Sequence, residues 1–165
     1  MLDFTYNMEK GMRELSSKGA FLTVNGDNKI NTMTISWGFI GFMWGKPHFI
    51  TVVRPQRYTK QVLDSGADSF TISVPFDGKL KEALGICGTK SGRDIDKSKV
   101  VKFIPSLTVT SPVVAECDLY YECKISTTQP LDGTLLPADI QKFYENDFHY
   151  LYIGEIVEFY GAKSK

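Results

Sequence analysis

Ala115-Glu116-Cys117-Asp118-Leu119-Tyr120-Tyr121-Glu122-Cys123-Lys124-Ile125-Ser126 alternates with period two. One set of positions holds Ala115, Cys117, Leu119, Tyr121, Cys123 and Ile125; the other holds Glu116, Asp118, Tyr120, Glu122, Lys124 and Ser126. Successive side chains of a strand point to opposite faces, so the segment predicts a half-buried antiparallel strand. The pattern recurs in His149–Tyr160, with Leu151, Ile153, Val157 and Phe159 on one side and Gly154 in mid-strand. Working outward, turn residues divide the rest into strands over 20–25, 48–53 and 69–74 and one long strand from Asn31 to Phe42. Asn25-Gly26-Asp27-Asn28 reads as a hairpin turn, and Gly38 and Gly41 would bend the long strand. Helical spacing appears over 7–18, 57–64, 79–86 and, begun by a proline, 137–144. Strands joined by hairpins and short helices predict a mainly β fold, an antiparallel β-barrel with a few short helices.

The 165 residues read as a single domain, 1–165, and with 42% hydrophobic residues the chain is expected to fold around a core. Nineteen basic residues balance nineteen acidic ones, which argues against a nucleic-acid or anionic-membrane partner. No apolar run approaches the ~20 residues of a membrane-spanning helix. Met1-Leu2-Asp3-Phe4 lacks a signal-peptide start, so a cytoplasmic location is expected. Cys87, Cys117 and Cys123 form no Cys-x-x-Cys pair and read as small buried thiols.

Only His48 and His149 are available as imidazole ligands, so no metal centre is expected. There is no Gly-x-Ser-x-Gly elbow and no Gly-x-Gly-x-x-Gly fingerprint. Gly85-Ile86-Cys87-Gly88-Thr89-Lys90-Ser91 fails as a phosphate loop because Thr89 separates Gly88 from Lys90 and a helix precedes it. The chain carries no catalytic motif of its own, and no catalytic residue is assigned. It does carry Arg54-Pro55-Gln56-Arg57-Tyr58-Thr59-Lys60, where Arg54, Arg57 and Lys60 fall within seven residues free of acid. Such a cluster at a helix start suits one small phosphate rather than a polyanion. A second loop, Thr89 to Lys97, mixes hydroxyls, glycine and cations, and Asn31–Trp37 sets Thr32, Thr34 and Ser36 on one strand face. A flat heterocycle with polar edges and a phosphate tail needs this set, although each piece alone is equally a solvated loop or strand face.

In order and spacing, Asn31-Thr32-Met33-Thr34-Ile35-Ser36-Trp37, Arg54-Pro55-Gln56-Arg57-Tyr58-Thr59-Lys60, Ser91-Gly92-Arg93-Asp94-Ile95-Asp96-Lys97 and His149-Tyr150-Leu151-Tyr152-Ile153-Gly154-Glu155-Ile156 resemble the flavin reductase-like family, the flavoredoxin branch most closely. The similarity spans residues 18–160. It implies an FMN-binding split β-barrel of Greek-key type, a homodimer, and bound FMN near the subunit interface. By the same resemblance Met33, Thr34, Ile35 and Ser36 would lie against the flavin ring. Arg54, Tyr58, Thr59 and Lys60 would serve the phosphate and ribityl chain, and Ser91, Gly92 and Arg93 would close over the cofactor. Trp37 flanks the ring or sits in the core, and His149 is a site residue or a structural histidine; both remain open here. The implied activity is that of an oxidoreductase passing electrons from NAD(P)H or a protein donor through FMN to an acceptor. The cofactor does that redox chemistry, which needs stacking and orientation more than acid–base groups. A flavin- or haem-holding barrel without turnover is the alternative, and an OB-like nucleic-acid binder conflicts with the zero net charge.

Overall fold

The computed structural model describes residues 3–162; the Met1-Leu2 start and the last three residues lie outside them. In chain order the elements are α1 (Met8–Ser17), β1 (Ala20–Gly26), β2 (Lys29–Ile35), β3 (Gly38–Met43), β4 (Lys46–Val53), α2 (Tyr58–Asp64), β5 (Ser69–Val74) and α3 (Lys81–Thr89). The short β6 (Phe103–Ile104) and β7 (Val113–Val114) follow, then β8 (Leu119–Pro130), α4 (Ala138–Gln141) and β9 (Tyr150–Gly161). The fold is mainly β, with 39% strand against 22% helix. Seven strands form one antiparallel sheet in the order β2-β1-β5-β8-β9-β4-β3, and β6 pairs with β7.

That order makes the barrel a split one. β2 and β3 are consecutive in sequence, yet they form the two opposite edges of the sheet. The expected unbroken strand from Asn31 to Phe42 is therefore wrong: it breaks at Ser36-Trp37. The apolar, β-branched run that suggested continuity is two half-runs serving different neighbours, β1 on one side and β4 on the other.

β1 and β2 are joined by Asp27 and Asn28, both left-handed (φ 50° and 56°), the backbone of a type I′ turn that these residue types tolerate. Gly26 is thus the last strand residue, paired with Lys29. Its glycine answers to packing, since a Cβ there would collide with the Val62 carbonyl of α2.

The main core joins α1 and α2 to the sheet through Leu15, Leu22, Phe49, Val62, Phe70, Ile72, Tyr121 and Ile156. A second core lies on the other side of β1, where Phe21 meets Ala83, Leu84 and Cys87 of α3 together with Val101, Val113, Val114, Cys117 and Tyr120. This second core corrects the half-buried reading of β8. Residues Leu119–Cys123 are buried on both faces, and Glu122 accepts hydrogen bonds from the Leu107 and Thr108 amides and from the Tyr160 hydroxyl. The strand also begins at Leu119 rather than Ala115, because Glu116 turns left-handed at φ 67°. All three cysteines are free and buried. Among the described residues no helix is long and apolar enough to cross a membrane.

Candidate functional site

Two adjoining cavities lie beside the β2 edge of the sheet, and they share Met33 and Arg57. The smaller, about 160 Å³, opens between α2 and the loop following α3. Arg57, Lys90, Arg93 and Lys97 line it, and no acidic residue does. Lys97 is only 4% exposed, and its ammonium donates to two carbonyls, Thr32 O at 3.1 Å and Cys87 O at 3.3 Å. Arg57 reaches no closer than 3.5 Å to its one acceptor, Gly88 O. Burial pushes the pKa of both cations below their ordinary values, and the Arg57 charge adds to the effect at Lys97. Two desolvated cations with carbonyls but no carboxylate for company are held at a cost that an anion entering the hollow would relieve.

Local folding sets these groups. Asn31 Nδ2 donates to Thr59 Oγ1 at 2.9 Å, fastening the first turn of α2 to β2. Gly92 lets the loop close, since a Cβ there would strike Asn31 Oδ1 and Tyr58 Cδ1. Arg93 donates to Gln56 O and Gln61 Oε1, both at 3.2 Å, and its guanidinium lies 5.3 Å from the Tyr58 ring centroid.

The larger cavity, about 320 Å³, is bounded by the stretch Met33–Trp37, by Val52 and Arg54, and by His149 at the start of the last strand. Met33 and Ile35 are 6% and 5% exposed, with side chains in the main core, so β2 offers the cavity chiefly backbone. Thr32 O points away from β1 toward Lys97. By the alternation of an antiparallel ladder the Thr34 amide and carbonyl turn outward as well. Two hydroxyls of the face expected from the sequence are consumed internally, Thr32 Oγ1 meeting Thr23 Oγ1 at 2.9 Å and Thr34 Oγ1 donating to Leu84 O at 2.6 Å, while Ser36 is exposed on the larger cavity.

His149 is 8% exposed, its Nδ1 2.6 Å from the Tyr144 hydroxyl and its ring 5.3 Å from that of Trp37. Burial, reinforced by the Arg54 charge and partly offset by Asp147, lowers its pKa to about 4, so the imidazole is neutral at pH 7. Trp37 is 48% exposed at the cavity mouth, which excludes the core alternative.

The expected residues therefore divide. Tyr58, Thr59, Ser91, Gly92 and Arg93 line the smaller cavity; Met33, Thr34, Ile35, Ser36, Trp37 and Arg54 line or bound the larger. Lys60 lines neither. It pairs with Asp64 one turn along α2, and its ammonium stands 4.1 Å from the Tyr150 ring centroid. Arg54 is occupied too, held by Asp147 Oδ2 and Phe143 O at 2.8 Å each. Lys97 is the group that sequence reasoning left without a role. A lysine between Asp96 and Ser98 reads as solvated, and only the folded loop buries it. Among the described residues no three His, Cys, Asp or Glu side chains converge to hold a metal.

The sequence profile of the flavin reductase like domain matches residues 12–165. An uncharacterised protein of Pyrococcus abyssi is 28% identical over 137 residues, 79% of this chain and 76% of that protein. The flavoredoxin of Methanosarcina acetivorans superposes with a TM-score of 0.69 at 25% identity, covering 88% of this chain and 69% of its own. An FMN-binding protein from Thermus thermophilus gives 0.67 at 21% identity, covering 86% and 68%, and shares the fold. With nearly the whole chain matched, a split barrel in common and an acid-free hollow beside the split, this protein belongs to the flavin reductase-like family of flavin-related oxidoreductases.

Proposed function

We propose that the chain binds FMN non-covalently and works as an oxidoreductase, carrying electrons from NAD(P)H or a protein donor to an acceptor. The observation that carries this reading is the acid-free hollow of Arg57, Lys90, Arg93 and Lys97 opening into a cavity floored by strand backbone. Its donor set fits a phosphate, which brings nearly two negative charges and accepts charge-assisted hydrogen bonds. Ser91 and Arg93 would close the phosphate end, and the outward Thr34 amide with Ser36 would meet the polar edge of the ring. FMN, when bound, supplies the redox chemistry itself. The protein orients it, excludes water, and sets the donors facing its polar edge. His149 Nδ1 stands 2.6 Å from the Tyr144 hydroxyl, and burial keeps the imidazole uncharged at neutral pH.

A homodimer in the cytoplasm is part of the same reading. Phe39, Phe42 and Trp44, at and just beyond β3, are 60–64% exposed, an aromatic surface that suits a second copy. Sedimentation equilibrium tests it, with a dimer expected and a monomer at micromolar concentration refuting it.

The deciding experiment reconstitutes the purified protein with FMN and adds each nicotinamide nucleotide anaerobically. A yellow protein bleached by one of them is the expected result. Bound FMN that neither nucleotide bleaches points to a protein donor, and failure to bind FMN overturns the proposal.

A further inference from the structure

Between β8 and β9 the chain leaves the sheet at Leu131 and rejoins it at His149. The base of this excursion is closed by the Leu131 amide donating to His149 O at 2.9 Å. None of residues 131–148 is buried, so no core side chain anchors the excursion. Polar contacts to the β4–α2 connection do. Arg54 Nη1 donates to Asp147 Oδ2 and Arg54 Nη2 to Phe143 O, while Gln56 Nε2 donates to the same Asp147 oxygen, all at 2.8 Å. The Arg54 guanidinium also stands 5.0 Å from the Tyr144 ring centroid. These contacts gather at the rim of the larger cavity, where the Phe143 ring meets Trp37 edge-on at 6.0 Å, with both residues about half exposed or more.

We propose that residues 132–147 form a hinged cover on the redox cavity, latched by Arg54 through Asp147, and that Phe143 is a positioning residue that selects flat aromatic reactants at its mouth. A segment held by a few charge-assisted bonds and no buried side chain opens at small cost compared with the sheet beneath it. When it opens, the Trp37 ring is offered to an incoming flat ring in place of Phe143. Arg54 thereby acts as a latch for the cover rather than a ligand of the phosphate.

The inference rests on FMN occupying the cavity, and its experiment separates the two. Full-length protein, wild type and Arg54→Met, is treated with trypsin with and without FMN, and cleavage after the exposed Lys142 is followed. FMN release from the loaded proteins is followed by recovery of flavin fluorescence. Expected are roughly tenfold or more faster cleavage and FMN release in Arg54→Met, which loses both charged hydrogen bonds, to Asp147 and to Phe143 O. Asp147→Asn should reproduce both effects from the other side of the latch. Phe143→Ala, which removes the ring that the reactant must displace, should lower the KM for the nicotinamide nucleotide about 3- to 10-fold with kcat within about twofold. Unchanged cleavage and release rates in both latch variants overturn the cover. A Phe143→Ala effect confined to kcat overturns the positioning role. The cleavage arm needs no cofactor, so a protein that fails to bind FMN defeats the functional reading while leaving the latch on trial.

Discussion

The two walls of the site are built on opposite principles. The phosphate-grade hollow stands on α2 and α3, which press Val62, Leu63, Ala83 and Leu84 into the two cores. The excursion over residues 131–148 contributes no buried residue and hangs from Arg54, Gln56 and His149. The cations of the hollow flank the ends of packed helices or follow α3 in a loop pinned to them, whereas the excursion is held chiefly by polar contacts. Preorganised donors hold their strength only if their supports cannot relax.

The sharpest way to break this contrast is at the two desolvated cations, half-buried Arg57 and buried Lys97. Arg57→Ala combined with Lys97→Met should weaken FMN binding by about a hundredfold or more, since each charged hydrogen bond contributes about 1.5–3 kcal/mol. Titration by flavin fluorescence quenching reads this, and an unchanged affinity would move the phosphate elsewhere. Next comes the support. Leu63→Ala should cost about 2–5 kcal/mol of unfolding free energy in a urea melt, as a buried leucine on α2.

His149 sits where the walls meet and gives a pH test. Unfolded, it takes a proton near its ordinary 6.5; folded, only near 4. Between those values the unfolded chain binds more protons, so stability falls as pH drops from 6.5 to 4, by on the order of 3 kcal/mol. His149→Asn should flatten that part of the stability–pH curve, and a curve unchanged by the substitution would show that the imidazole titrates freely. The smallest effect belongs to the excursion: Leu135, 81% exposed, replaced by alanine should shift stability by less than about 0.5 kcal/mol. A larger loss would mean that the excursion is packed against something after all, and the contrast would fail.

How far the sequence could be read follows the same division. Period-two patterns located β8 and β9, and the Asp27-Asn28 turn lay within the expected four residues, because these signals are local. The break at Ser36-Trp37 was invisible, since a strand that changes partners keeps the same alternation and composition. The burial of Glu122 and Lys97 was equally hidden, because each is covered by chain far away in sequence: Glu122 by the loop at 107–108, Lys97 by β2 and α3. Lys60 looked like a ligand for the opposite reason, since its neighbours Arg57 and Thr59 face the hollow while the turn of α2 carries it to Tyr150.

The sheet order has a consequence for how the protein is made. The two edges flanking the site are neighbours in sequence, yet the path between them through the sheet runs β1, β5, β8, β9 and β4, and β9 follows all the others in the described chain. On the ribosome β2 can pair with β1, and β3 with β4, as separate hairpins, but nothing joins those halves until β9 emerges between β8 and β4. Such non-local closure is slow. The cavity between those halves is therefore closed only once β9 has taken its place in the sheet.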